Sequence, residues 1–190
     1  MEKHPLPPFF PPAASLLMLG SFPPPRERWK MDFYYPNIQN DMWRIFGHIF
    51  FGDRSRFLAT DGKAFREADI RAFLAEKGIA IWDTAMEVIR QKENASDKYL
   101  DILRPIDLQQ TLADLPLCSA IAITGQKAMD TLLSIIPADE PRIGEYAEAV
   151  YCRRSLRIYR MPSSSRAYPR PLEEKAAAYE RMFRDMGMIH

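Results

Sequence analysis

A chain of 190 residues is long enough for one domain with a sizeable core and leaves little room for a second. Hydrophobic residues make up 47% and charged residues 27%, which excludes a disordered or fibrous chain. The formal net charge of +1 decides nothing about nucleic acid, because a DNA binder needs basic residues on one face and not in the total. Cys118 and Cys152 are too few for a four-thiolate cluster and too far apart for zinc spacing. His4, His48 and His190 are scattered and suggest neither a metal site nor a triad. No metal or cofactor is expected, and a reduced cytoplasmic protein is the plain reading.

Residues 1–13 are rich in proline and read as an extended arm over the surface of a single domain formed by residues 14–190. Lys3 and the run Ala13 to Leu19 faintly resemble a signal peptide, but Pro5, Pro7, Pro8, Pro11 and Pro12 stand where its helix should be. No stretch approaches the roughly 20 apolar residues of a membrane span. Ala14 to Leu19 is a continuous apolar run, as in a strand buried on both faces. Pro23, Pro24 and Pro25 then force a loop. Helical spacing follows from Asn40 to Phe50 and again from Lys63 to Glu76, closed by Gly78. Ile79 to Trp82 is a second strand ended by Asp83. Pro105 can open a helix reaching Leu115. Ser119 to Thr124 is a third strand, and Gly125 opens a helix through Ile135. Leu156 to Met161 is a fourth strand, and Glu173 to Met186 is helical. This alternation predicts a three-layer α/β/α sandwich around a mostly parallel sheet of four strands. Ligands bind beyond the carboxyl ends of such strands. Those ends are Gly20–Pro23, Trp82–Thr84, Thr124–Gln126 and Pro162–Ser165.

The first strand and its loop read LLMLGSFPPPRERWKMDFYYPNIQNDMWRIF. Gly20-Ser21-Phe22-Pro23, Tyr34-Tyr35, Asn40 and Met42-Trp43 resemble the first motif of the uracil-DNA glycosylase superfamily, closest to its hypoxanthine-DNA glycosylase branch. The segment GIAIWD ending at Asp83 and the run Met161 to Tyr168 resemble two further motifs of that branch, in the same order. The resemblance implies a monofunctional, base-flipping enzyme that hydrolyses the N-glycosidic bond of a deaminated base (hypoxanthine, uracil or xanthine) in DNA. Two departures stand out. Phe22 occupies the position where most of the superfamily has the Asp or Asn that positions water, so the resemblance moves the catalytic amide to Asn40. Arg166 stands where the branch has proline.

Each assignment competes with a plainer one. Asn40 either holds the attacking water, which an amide can orient but not deprotonate, or caps the helix bearing Trp43, with Asn37 as a rival. Phe22, Phe33, Tyr34 and Tyr35 form a stacking wall beside Gly20 and Ser21, or pack on the core. Asp83 accepts an N–H from the base, or caps a following helix. Ser163, Ser164 and Ser165 hold phosphates, while Arg166 and Tyr168 fill the space left by the flipped base. The arginines between Arg153 and Arg170 are a DNA-facing concentration or a solvated surface. The partner expected is damaged DNA, bound by a monomer because one lesion needs one pocket. The alternatives are a glycosylase-like protein that binds DNA without cleaving it, and a hydrolase of small nucleosides.

Overall fold

The computed structural model describes residues 1–91 and 96–190. Strands β1 (Glu2–Lys3), β2 (Leu16–Gly20), β3 (Ile79–Asp83), β4 (Ala85–Arg90), β5 (Leu100–Pro105), β6 (Ala120–Thr124), β7 (Tyr146–Tyr151) and β8 (Arg154–Met161) combine with helices α1 (Met42–Phe51), α2 (Glu67–Lys77), α3 (Leu108–Asp114), α4 (Gln126–Leu133) and α5 (Leu172–Asp185). The large sheet has the order β3-β2-β6-β8-β7. Its first four strands run parallel, and β7 joins β8 antiparallel at the edge. The sheet is therefore mixed and has five strands where four were expected.

Strands β2 and β6 are buried over their whole length, which is why their sequences are unbroken apolar runs. Side chains alternate between two cores with the period of two that a strand imposes. Leu16 and Met18 face one cluster with the aromatic residues of α1, α2 and α5. Leu17 and Leu19 face the other with Leu108, Leu112, Met129 and Leu132 of α3 and α4. Helices thus cover both faces of the large sheet. None among the described residues is long and apolar enough to cross a membrane.

Two expected helix starts move by about a turn. Pro105 ends β5 instead of opening a helix, and α3 begins at Leu108, where Asp107 accepts from Gln110 N–H at 3.0 Å. The second helix begins at Glu67, not Lys63, because Phe65 bridges back to Leu58.

A second, smaller sheet, β1-β4-β5, is absent from the sequence reading. It anchors the arm. Glu2 and Lys3 pair with Val88 and Glu87, and Phe9 exchanges two backbone bonds with Ile81 at the open side of β3. The arm is thus tied to both sheets.

Candidate active site

Parallel register sets the site. Gly20 pairs with Asp83 and Thr124 with Met161, so the carboxyl ends of β2, β3, β6 and β8 form one row. Beyond that row opens a cleft of about 920 Å³ lined from several segments, among them Gly20–Phe22, Tyr34–Asn40, Ser96–Lys98, Thr124–Lys127 and Ser163–Tyr168, with Asp83. This volume lies within the range of small-molecule and cofactor sites.

The floor is tightly built. A Cβ on Gly20 would stand 2.8 Å from Asp83 Oδ1 and 3.4 Å from the Tyr35 hydroxyl, so only glycine lets these groups approach the strand. Tyr35 holds φ of 52°, a left-handed conformation uncommon for a residue with a side chain. Its hydroxyl lies 3.0 Å from Thr124 Oγ1. Burial and the Asp83 carboxylate push the Tyr35 phenol above its ordinary range, so it stays neutral and can donate.

Asn40 lines the cleft, and its Oδ1 accepts from Met42 N–H at 2.9 Å. Asn40 thus satisfies the first N–H of α1 from the position before Asp41, which is the N-cap residue, and one carbonyl lone pair remains for another donor. Asn37 also lines the cleft, and its Oδ1 accepts from Gln39 N–H at 3.0 Å, which leaves it the same spare lone pair. On the far side, Ser164 carbonyl accepts from Asp41 N–H, and Arg166 Nε donates to Asp41 Oδ1 at 3.1 Å. These bonds fasten the Ser163–Tyr168 loop to the start of α1.

The aromatic residues divide. Phe22 lines the cleft while its ring packs on Ala85, Val88 and Leu100 of the small sheet. Tyr34 lines it too, but its hydroxyl donates to Pro7 of the arm at 2.8 Å. Phe33 is not among the lining residues. Its ring is buried between Phe9 and Trp43, under the Arg71 guanidinium. A strand follows Asp83, so its reading as a helix cap falls.

Two site residues escaped the sequence reading. His4 is paired with Asp83, Nε2 to Oδ2 at 2.7 Å, and both side chains are buried. The three histidines are therefore not all idle. A separation of 79 residues across a proline-rich arm left no local signal. Asp97 lines the cleft from a short 3-10 turn and is hydrogen-bonded to the Ser21 side chain. Burial, and next the charge of Asp83, raises its carboxyl above the usual range.

The expected arginine concentration is dispersed. Arg154 donates to the carbonyls of Leu112 and Leu115 at the opposite end of β8, and Arg160 Nη1 donates to the carbonyl of Pro141. Among the described residues, the basic ones lining the cleft are Arg28, Lys98, Lys127 and Arg166.

A Methanosarcina acetivorans protein solved by solution NMR, and provisionally described as a uracil DNA glycosylase, superposes with a TM-score of 0.66. The alignment covers 98% of this chain and 99% of that one at 23% identity. The two proteins share a fold. No protein-family model and no curated protein matches the chain.

Proposed function

We propose that the chain is a monofunctional DNA glycosylase of the uracil-DNA glycosylase superfamily, akin to its hypoxanthine-DNA glycosylase branch, that excises a deaminated base. One observation carries this reading. The motif residues Gly20–Phe22, Tyr35, Asn40, Asp83 and Ser163–Tyr168 come from distant segments and meet in one cleft. They meet in a fold shared with a protein provisionally described as a uracil DNA glycosylase.

A duplex buries its glycosidic bonds, so the lesion nucleotide must leave the stack at a cost of a few kcal/mol. Arg166, Lys98, Lys127 and Arg28 supply the positive rim for its phosphates. Ser163 and Ser165 hydroxyls, beside Arg166, hold the flipped nucleotide's own phosphates, whereas Ser164, expected to share that role, is 2% exposed. The base enters the cleft beside the Asp83 and Tyr35 groups that crowd Gly20, and meets Tyr35 and Phe22.

Asp83 accepts an N–H from the base edge, as hypoxanthine N1–H offers. Asn40 accepts a hydrogen bond from the water that adds to the sugar C1′. The bond from C1′ to the base breaks with its electron pair leaving on the base. The water's proton requires an acceptor that an amide cannot be. We assign that role to Asp97, a cleft carboxylate beside Ser21 that is not paired with His4, whereas Asp130, which also lines the cleft, accepts from Gln126 Nε2 at 2.8 Å.

Labelled oligonucleotides containing hypoxanthine, uracil or xanthine, single- and double-stranded, test the proposal when abasic products are cleaved by alkali. A free base and an abasic site from at least one lesion are expected, with DNA affinity falling steeply as salt rises. Cleavage of free nucleosides with no salt-sensitive DNA binding would place the chain among nucleoside hydrolases instead.

A further inference from the structure

The N-terminal arm is held to the body at several points. Glu2 makes two bonds to Arg90, at 3.0 and 3.2 Å, and His4 N–H donates to the Met86 carbonyl at 2.8 Å. Tyr34 hydroxyl donates to Pro7, and Phe9 pairs with Ile81. Prolines fix φ along the segment and lower the entropy lost on ordering it. Between these anchors, one polar side chain turns inward. The His4 imidazole sits in an aromatic box, edge-on to Phe22 at 5.4 Å and to Trp82 at 6.3 Å, and near-parallel to Tyr34 at 6.1 Å.

A buried histidine that only satisfied itself could bond to backbone alone, and Nδ1 does so through Leu6. Nε2 instead reaches a carboxylate on a different element, in the floor of the cleft. The bond occupies Asp83 Oδ2, and Oδ1 stands over Gly20, where a Cβ would be 2.8 Å from it. A carboxylate with one oxygen held cannot rotate freely, and a buried carboxylate without a partner is strongly disfavoured.

We infer that the arm is part of the active site and that His4 is a positioning residue, holding Asp83 so that Oδ1 accepts the ring N–H of a lactam-bearing base. The inference rests on the glycosylase reading for the identity of the ligand. It adds that selection of the base depends on residues 1–10, which lie outside the strand-end loops.

The test uses the full chain with His4→Phe, which fills the box without a donor, and His4→Gln, whose amide can donate to Oδ2. Asp83→Ala and the His4→Phe/Asp83→Ala double variant complete a cycle. Two quantities are measured on each folded variant. One is the affinity for a duplex carrying 2′-fluoro-deoxyinosine, which resists hydrolysis, relative to the undamaged duplex. The other is the single-turnover excision rate of hypoxanthine. His4→Phe is expected to lose discrimination and roughly 100-fold in rate, the scale of a misplaced group. His4→Gln should recover most of both, and His4→Phe should add nothing in the Asp83→Ala background. Wild-type discrimination without excision would sink the glycosylase reading while the variants still decide the role of His4. Full discrimination by His4→Phe, equal losses in His4→Gln, additive losses in the cycle, or no wild-type discrimination overturns the inference.

Discussion

Gly20 and Asp97 show how much of the site is decided by single side chains. Gly20 is required by proximity: alanine there puts a methyl 2.8 Å from Asp83 Oδ1 and 3.4 Å from the Tyr35 hydroxyl. Gly20→Ala should leave the strand intact, displace both groups and cut hypoxanthine excision more than tenfold, read in a single-turnover assay. Asp97 makes a prediction with a sign. Its carboxyl is raised above the ordinary value of about 3.9 by burial and then by Asp83. At neutral pH it is ionised in the unfolded chain, and the fold carries a cost for that charge. Below the ordinary carboxylate range it is protonated in both states and the cost is gone. Asp97→Asn should therefore raise the thermal midpoint near neutrality, with the gain fading as pH falls into that range. The same variant should slow excision and remove an acid limb lying above the ordinary carboxylate range. A variant that is both less stable at neutral pH and fully active would contradict both statements.

At the scale of elements, the Ser163–Tyr168 loop is held by a residue outside it. Lys175 of α5 is 1% exposed, and a lysine that deep needs partners. Its Nζ donates to Ser165 carbonyl at 2.8 Å, lies 3.8 Å from Asp41 Oδ2 and stands 5.7 Å from the Tyr168 ring. Lys175→Met should cost about 1–3 kcal/mol, because it strands the acceptors it served. It should also weaken binding to damaged and undamaged DNA alike, measured by denaturant unfolding and DNA titration. An unchanged DNA affinity would separate this clamp from the DNA-facing loop. The loop was legible as a serine-rich stretch after a strand, but its clamp was not. Lys175 reads in the sequence as one more charged position on a helix, and nothing local marks it as buried.

For the whole molecule, what could be read follows from what was buried. β2 and β6 were visible because central strands of a parallel sheet are apolar on both faces, β3 because Ile79–Ile81 is buried although the strand lies at the edge, and β8 because Leu156, Ile158 and Met161 point inward. Their carboxyl ends located the cleft by topology alone. β7 was missed because an edge strand buries little: Ala149 is its one buried residue, and Val150 is 65% exposed. β4 and β5 were missed because their pairing carries register shifts that break the period of two. His4 and Asp97 were missed for a related reason, since each reaches the site from the small sheet's side and not from a strand end of the large one. The residues that the motifs named therefore describe most of the cleft lining, while Ser96–Lys98 enter it from the turn before β5 and His4 stands behind Asp83.

The central claim is that this cleft hydrolyses a glycosidic bond with Asn40 holding the water. Its most direct test is single-turnover excision of hypoxanthine from a labelled duplex by wild type and Asn40→Ala, with DNA affinity measured on the same preparations. Wild type should yield abasic product, and the variant should be slower by about a hundredfold or more, with affinity retained. Wild-type protein that binds the duplex and releases no base, or an Asn40→Ala rate equal to wild type, would contradict the claim.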